Sequence, residues 1–177
     1  MTVWFLDACG LINLYASGRL ADLARRRSQP FLLVPNVVRE AGWVFERQDL
    51  ERGDRVPIDL EPLLRQRLVE VITPSAEVQA QFLKLAAELD DGEAMTIAAA
   101  ATLEGAGVVT DDEAAIKYLK SLHGPAVTSS LSLLHDLLEH SPLAAQEEAL
   151  LNIRVCARYL PGPRHPEIVW WKAVLCR

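Results

Sequence analysis

The chain has 177 residues, of which half are apolar and a quarter are charged, and its formal net charge is −6. This composition is typical of a globular domain with a substantial core, and no apolar run approaches the roughly 18–20 residues that cross a bilayer. The acidic total argues against a protein that coats duplex DNA nonspecifically, although bound divalent cations can reverse the sign of an acidic pocket.

The N-terminus and the cysteines favour a cytoplasmic protein. The first residues, MTVWFLDACG, have no basic region before the apolar run and carry a carboxylate at Asp7, so they do not resemble a signal peptide. The three cysteines, Cys9, Cys156 and Cys176, are odd in number and lack the spacing of a metal site. We therefore expect a reducing, cytosolic environment.

Predicted strands and helices alternate along the chain. Short apolar runs bounded by turn residues predict strands at 2–6, 31–34, 69–73, 108–109 and 126–127. Amphipathic or alanine-rich segments predict helices at about 11–15, 20–27, 35–47, 60–67, 76–89, 91–104, 113–122, 131–139 and 143–159. Such alternation indicates βαβ units, and hence an α/β fold with a central parallel sheet and helices on both faces.

Two stretches interrupt this pattern. Residues 48–57 are polar and contain glycine and proline, which indicates a loop or a broken helix. After the proline-rich connection at 161–167, residues 168–176 (IVWWKAVLC) have the composition of a strand. We expect one α/β domain at 1–140, and a C-terminal helix and strand-like tail at 141–177 that packs on the same domain or on a dimer partner.

Four acidic residues stand at or near the ends of these elements. Asp7 follows strand one, Glu40 lies in the helix after strand two, Glu93 begins the helix before strand four, and Asp112 follows strand four. In an open α/β sheet, ligands bind beyond the carboxyl ends of the strands, where the strand order reverses. With the order 3-2-1-4-5, Asp7 and Asp112 face each other there. Like charges this close raise one another's pKa, and the hard cations Mg²⁺ or Mn²⁺ offset that repulsion.

Four short segments make the chain resemble the PIN-domain nucleases. They are VWFLDACGLINL with its leading aspartate, VPNVVREA with its proline and glutamate, DDGEAMTIAAAA with a G-E-A helix start that some subfamilies use in place of an aspartate, and VVTDDEA with a T-x-D pattern. The segments occur in the family's order and span about residues 3–135. The resemblance therefore covers all but the C-terminal part of the chain.

The resemblance implies a three-layer α/β/α sandwich and a Mg²⁺- or Mn²⁺-dependent endonuclease that hydrolyses phosphodiester bonds in single-stranded RNA. Carried over by position, the catalytic and metal-binding set is Asp7, Glu40, Glu93 and Asp112. Asp7 and Asp112 would bind the principal metal ion, and the two glutamates would complete its shell or hold a second ion. Many relatives are VapC-like toxins of bacterial toxin–antitoxin pairs, commonly homodimeric and inhibited by a small antitoxin, and we expect these partners here.

Two features depart from the family pattern. Cys9 stands where the family often has Ser or Thr, so a thiol replaces a hydroxyl beside the first aspartate. The doublet Asp111–Asp112 leaves two candidates for one site, and the T-x-D register favours Asp112 over Asp111. Asn13 and Ser129 are further candidates, as polar supports near the strand ends.

Two other functions are compatible with the same residues. The doublet and Cys9 are also compatible with a catalytically silent relative that binds RNA or a protein partner. A phosphoryl-transfer receiver would need an acidic pair after strand one and a lysine after strand five, and the chain has neither.

The remaining basic, aromatic and histidine residues have structural interpretations. The run Arg25–Arg27 is interpreted as a solvated helix end rather than a site that binds RNA phosphates. Trp4 is predicted to be in the core, and the pair Trp170–Trp171 at an interface. The histidines show no ligand spacing and are interpreted as surface or capping residues: His123, His135, His140 and His165.

Overall fold

The computed structural model describes residues 2–121 and 124–176. The strands in these ranges are β1 (Val3–Leu6), β2 (Phe31–Leu33), β3 (Trp43–Gln48), β4 (Glu51–Pro57), β5 (Val69–Val71), β6 (Ala106–Val109) and β7 (Ala126–Thr128). The helices are α1 (Ala8–Ala16), α2 (Leu20–Arg27), α3 (Pro35–Glu40), α4 (Glu61–Arg65), α5 (Ala76–Leu85), α6 (Asp91–Ala101), α7 (Glu113–Ser121), α8 (Ser130–Leu138), α9 (Leu143–Asn152) and α10 (Ile168–Leu175), with a π-helical segment (Ile153–Ala157) continuing α9. The predicted helix end at Leu122, and His123, lie outside the described residues.

The central sheet has the predicted architecture. Its five strands are parallel and lie in the order β5-β2-β1-β6-β7, flanked by helices. Counted among the sheet strands alone, this is the order 3-2-1-4-5, so the prediction of an α/β fold with this order is confirmed. The order reverses between β1 and β6, where Leu6 is paired with Val109. Asp7 and Thr110, which follow these strands, therefore emerge side by side at the carboxyl edge of the sheet.

The central strands are buried on both faces, as is usual for parallel sheets. All four residues of β6 are buried, and Phe5 and Leu6 of β1 are no more than 2% exposed. Helix α6 packs on both strands through its run of alanines, because small side chains allow a helix to approach a sheet closely. This packing brings Glu93, in the first turn of α6, down to the carboxyl edge. None of the helices in the described ranges has the length and apolarity needed to cross a bilayer.

A short helix and a β-hairpin replace the long helix predicted at 35–47. Helix α3 ends at Glu40, and β3 and β4 then form a separate antiparallel pair. The prediction of a loop or broken helix at 48–57 is also wrong, because most of this stretch forms β4. The aromatic and β-branched residues at 43–45 favour a strand. Asp49 takes the left-handed conformation (φ 59°) in the tight turn between the strands.

The C-terminal segment is a helix that packs on its own chain. The strand-like assignment at 168–176 is wrong, because α10 spans Ile168–Leu175. Trp171 and Val174 lie three residues apart, share one helix face and are 5% and 6% exposed. Both belong to the main core cluster, together with residues of α9. Trp171 is therefore an interior residue of this chain, whereas the sequence analysis placed the pair Trp170–Trp171 at an interface.

We expect Trp171→Ala to lower the free energy of unfolding by about 3–5 kcal/mol, the usual cost of truncating a buried tryptophan. Val169→Ala is the matched control on the same helix, because Val169 is 75% exposed. This control should change the free energy of unfolding by no more than about 0.5 kcal/mol. Urea unfolding followed by circular dichroism measures both variants. Equal midpoints for the two would show that α10 is not part of the cooperative core.

Candidate active site

A cavity of about 350 Å³ opens at the carboxyl edge of the sheet, beside the ends of β1 and β6. We call it the acidic pocket. Its lining side chains come from elements distant in sequence, and they are Asp7, Ala8, Cys9, Glu40, Asp90, Glu93, Asp111, Asp112 and Tyr159. The fold therefore brings all four predicted acids, and both members of the doublet, to one cavity.

Asp7 is the buried member of the acidic pocket, with an exposed fraction of 2%. Its Oδ1 accepts a hydrogen bond from the Gly10 backbone N–H at 2.6 Å, so the residue is also the N-cap of α1. Burial raises the pKa of Asp7 to about 6, although hydrogen bonds from Thr110, Gly10 and Cys9 act in the opposite direction. A negative charge at this position is therefore costly, and a bound cation would reduce that cost.

Cys9 links the two strand ends through its thiol. The Sγ atom lies 3.2 Å from each carboxylate oxygen of Asp7 and accepts a hydrogen bond from the Asp111 backbone N–H at 3.2 Å. Burial and the neighbouring carboxylates raise the pKa of the Cys9 thiol well above its usual value, so the thiol stays protonated and donates to Asp7. The thiol therefore supplies the hydrogen bond that the expected Ser or Thr hydroxyl would have donated.

Glu93 and Asp112 occupy the more open part of the acidic pocket. Burial raises the pKa of Glu93 to about 7, and the carboxylates of Asp112, Asp7 and Asp90 add to this effect. Asp112 Oδ1 accepts hydrogen bonds from the backbone N–H groups of Ala114 and Ala115, at 2.7 and 2.9 Å, at the start of α7. Its other oxygen has no hydrogen bond within the described part of the chain. Asp112 therefore keeps one oxygen available to a ligand.

Asp111 is engaged differently from Asp112. Its Oδ2 accepts a hydrogen bond from Asn13 Nδ2 at 2.9 Å, and its Oδ1 accepts one from the Ser130 backbone N–H at 3.1 Å. Both carboxylate oxygens are thus bound by the protein, and this arrangement favours Asp112 as the ligand-binding member of the doublet. Ser129, the other proposed support, makes no hydrogen bond to an acid within the described residues: its hydroxyl accepts from the Ser132 N–H, which caps α8, and donates to the Ser132 hydroxyl.

The Glu40 side chain lines the acidic pocket and packs against Gly92 in the first turn of α6. Its carboxylate accepts a hydrogen bond from the Gly92 backbone N–H, and burial raises the pKa of Glu40. A Cβ atom at Gly92 would lie 2.8 Å from Glu40 Cδ, so the glycine is needed for this contact. The G-E-A segment thus has two roles at the acidic pocket. Its glutamate is Glu93 itself, and its glycine, Gly92, leaves room for the Glu40 carboxylate and donates a hydrogen bond to it.

We expect Gly92→Ala to weaken divalent-metal binding without destabilising the fold. The added methyl group displaces the Glu40 carboxylate, whereas replacing glycine by alanine in a helix favours folding by up to about 1 kcal/mol. Isothermal calorimetry with Mn²⁺ and thermal unfolding measure the two effects. In a Glu40→Ala background, Gly92→Ala should have no further effect on metal affinity. A further loss in that background would show that the glycine acts independently of Glu40.

Two residues of the acidic pocket were missed by the sequence analysis. Asp90 precedes Glu93 in the same acidic turn and could have been included on that ground. Tyr159 follows the π-helical segment, and no local pattern marks it. Burial, followed by the charge of Asp111, raises the pKa of the Tyr159 hydroxyl, which therefore remains a hydrogen-bond donor.

The donor chemistry of the acidic pocket fits a hard divalent cation. Among the described lining residues there is no lysine, arginine or histidine, and the carboxyl groups raise one another's pKa values. No three Asp, Glu, His or Cys side chains in the described ranges form a ready-made group that could hold a metal ion. Mg²⁺ usually keeps several waters and takes only one or two protein carboxylates, so a ready-made group is not required.

A parallel α/β sheet with carboxylates gathered at its reversal point defines a class of proteins suited to metal-assisted chemistry on phosphates. A family model described as a PIN domain (DUF3368) matches residues 3–162. The chain belongs to this PIN-domain family, as its motifs predicted. PIN domains are generally nucleases and typically use divalent metal ions. No curated protein and no solved structure matches the chain.

Proposed function

We propose that this protein is a metal-dependent endonuclease that hydrolyses phosphodiester bonds in single-stranded RNA. One observation carries the proposal: Asp7, Glu40, Glu93 and Asp112, from four different elements, line one cavity at the reversal point of the sheet in a member of a nuclease family. The raised pKa values of Asp7 and Glu93 support it, because burial and neighbouring carboxylates disfavour both negative charges, and a bound cation would offset that cost.

Asp7 and Asp112 are the carboxylates that would hold Mg²⁺ or Mn²⁺, with Glu40 beside them. A bound divalent ion lowers the pKa of a water molecule and neutralises charge that develops on the phosphate. Gly10 and Cys9 orient the Asp7 carboxylate towards the pocket by their hydrogen bonds. Glu93 would complete the shell of the ion through a bound water, and its carboxylate, with a pKa of about 7, is suited to accept the proton of that water near neutral pH. The Tyr159 hydroxyl is available to donate to a phosphate oxygen.

The test is cleavage of labelled single-stranded and hairpin RNAs by the purified protein with Mn²⁺, Mg²⁺ or EDTA. The proposal predicts cleavage of single-stranded RNA with either metal, none with EDTA, and at least about 100-fold slower cleavage by Glu93→Gln, in line with the loss of a general base. Glu104→Gln is the matched control, because Glu104 is exposed and lies beyond the other end of the helix that carries Glu93. Cleavage that persists in EDTA would exclude the metal-dependent mechanism.

A catalytically silent module is the second candidate, and one observation favours it. Several carboxylate oxygens of the acidic pocket already accept hydrogen bonds from the protein, as at Asp111 and Asp112. Such a module would retain RNA or a protein partner without saturable Mn²⁺ binding. Calorimetry with Mn²⁺ separates the candidates, because the nuclease requires a saturable site that is lost when Glu93 and Asp112 are both replaced by their amides.

The proposal extends to a role as the toxin of a toxin–antitoxin pair, acting as a homodimer in the cytoplasm. It is supported by the motifs shared with VapC-like PIN domains. Induced expression in bacteria should then arrest growth, whereas the Asp112→Asn variant should not. Light scattering after size-exclusion chromatography tests the dimer. Normal growth during expression of cleavage-competent protein would argue against the toxin role.

A further inference from the structure

A cluster of arginines lies on the β3–β4 hairpin and the π-helical segment next to it. We define the arginine cluster as Arg52, Arg55, Arg154 and Arg158, all of which are exposed. The guanidinium carbon of Arg52 lies 4.4 Å from the centre of the Phe45 ring, and those of Arg55 and Arg158 lie 5.9 and 6.0 Å from it. Three guanidinium groups thus surround one ring.

The arginine cluster has no anionic partner in the described part of the chain. The hairpin itself carries carboxylates at Glu46, Asp49, Glu51 and Asp54, but none is within 4.0 Å of these guanidinium groups. Four positive groups therefore lack a close ion-pair partner among the described residues of a protein with a net charge of −6. Stacking on aromatic rings holds the guanidinium planes in place while their N–H groups stay free, as in sites that bind phosphate.

The basic run Arg25–Arg27 is different, because its guanidinium groups are already used. Arg25 donates to Gln66 Oε1, Arg26 to the Asp136 carbonyl oxygen and Arg27 to the Thr2 carbonyl oxygen, at 2.6 to 2.8 Å. This run also precedes β2, and therefore lies at the edge of the sheet opposite the acidic pocket. The three guanidinium groups of this run are therefore already engaged by the protein, unlike those of the arginine cluster.

The arginine cluster and the acidic pocket border a series of cavities that share lining residues. A cavity of about 490 Å³ is lined by Arg52, Arg154 and Arg158, with Glu51 and Leu160. A neighbouring cavity of about 720 Å³ shares Leu160 with it. This neighbouring cavity shares Tyr159, Asp111 and Asp112 with the acidic pocket. The path from the carboxylates to the arginines therefore follows the chain from Tyr159 to Leu160.

We infer that the arginine cluster binds the sugar–phosphate backbone of a single-stranded RNA whose scissile phosphate lies in the acidic pocket. The inference rests on the proposed function and adds the path that the bound RNA strand follows from the acidic pocket. Nucleic acid carries a phosphate at every nucleotide, so a strand in the acidic pocket presents further anions along this series of cavities. Guanidinium groups can bind these phosphates through paired N–H donors.

Binding of labelled single-stranded RNA in EDTA, measured by fluorescence anisotropy over a range of salt concentrations, tests the inference. Each phosphate contact contributes about 0.7 to the slope of log K against log salt for a single strand. Arg52→Gln and Arg158→Gln should each weaken binding several-fold and reduce the slope by about this amount. Arg52→Lys should retain the slope, because the charge remains.

Arg67→Gln is the matched control, because Arg67 is exposed and precedes β5 at the opposite edge of the sheet. It should bind RNA with the affinity and slope of the wild type, and thermal unfolding should show that every variant is folded. Wild-type affinity and slope in the cluster variants would overturn the inference and favour an acidic protein segment as the occupant. Absence of RNA binding by the wild-type protein would overturn it as well.

Cleavage by the same preparations separates this inference from the proposed function. If the proposed function alone fails, RNA is not cleaved with Mn²⁺, yet the Arg52 and Arg158 variants still bind it more weakly than the wild type. If the inference alone fails, the wild type cleaves RNA with Mn²⁺ and the arginine variants bind it normally. If both hold, these variants should raise KM while leaving kcat close to the wild-type value.

Discussion

Replacing Asp7 by Asn is expected to stop metal-dependent RNA cleavage and to stabilise the metal-free protein. Burial raises the pKa of Asp7 from 3.8 to about 6. A shift of this size corresponds to about 3 kcal/mol of folding free energy that is lost when the carboxyl group ionises. Asparagine retains the shape of the side chain and can still accept the hydrogen bond from Gly10. It does so without burying a charge.

The same substitution removes the negative charge that would hold the cation. Loss of such a ligand costs several kcal/mol of transition-state stabilisation, so cleavage should fall by at least about 100-fold. The neighbouring Cys9 thiol cannot substitute, because its raised pKa keeps it neutral. Greater stability together with lost activity is the combination expected of a functional charge, whereas a purely structural aspartate would lose stability on substitution.

Thermal unfolding in EDTA at about pH 8, where an ordinary carboxyl group is ionised, and the RNA cleavage assay measure the two effects. Asp136→Asn is the matched control, because Asp136 is exposed on α8 and does not line the acidic pocket. It should leave both quantities unchanged. An Asp7→Asn variant that cleaves RNA at the wild-type rate would remove this residue from the mechanism. A lower melting temperature would show instead that ionised Asp7 supports the fold.

The second large effect concerns pH: stabilisation by added Mn²⁺ should increase as pH rises through about 6 to 7. These are the pKa values of Asp7 and Glu93 in the folded chain, and both lie above the ordinary values of 3.8 and 4.5. Protons therefore compete with the cation for the same carboxylates below this range. Above it, the carboxylates are ionised and the cation offsets their repulsion.

The metal-free protein should show the opposite trend. Because both pKa values are higher in the folded chain than in the unfolded chain, the folded chain binds these protons more tightly. The free energy of unfolding is then highest below the unfolded pKa values and decreases as pH rises through the folded values, from about 4 to about 7. Above that range these two groups contribute no further change.

Melting temperatures with EDTA or with Mn²⁺ across this pH range test both trends. Glu93→Gln removes the group with the higher pKa, so the onset of Mn²⁺ stabilisation should move down towards the pKa of Asp7, about 6. Asp136→Asn should follow the wild-type curve. An Mn²⁺-induced increase that is the same at all pH values would mean that the ion binds away from Asp7 and Glu93.

The errors in the predicted fold have one physical origin. The stretch at 35–47 has apolar residues at helical spacing, and its composition alone is compatible with a helix. The pairing of β3 with β4 and their packing on the π-helical segment decide the strand conformation, because strands gain their stability from neighbours. At α10 the opposite error occurs: residues 168–176 have the composition of a strand, but the segment forms a helix. The helical conformation puts Trp171 and Val174 on one face, where both pack on the core.

The sequence by itself determined the alternation of strands and helices that predicts a parallel sheet, because this depends on local periodicity. The strand order and the family followed from the resemblance of four segments to PIN-domain nucleases. The sequence also determined which carboxylates were candidates. Only the tertiary structure decided that Asp111 is held by Asn13 and Ser130, that Glu40 rests on Gly92, and that Tyr159 borders the same pocket. These relationships join residues far apart in the chain, and no local pattern encodes such distances. The tertiary structure also decided the arginine cluster, because its guanidinium groups come together only when the hairpin packs against the π-helical segment.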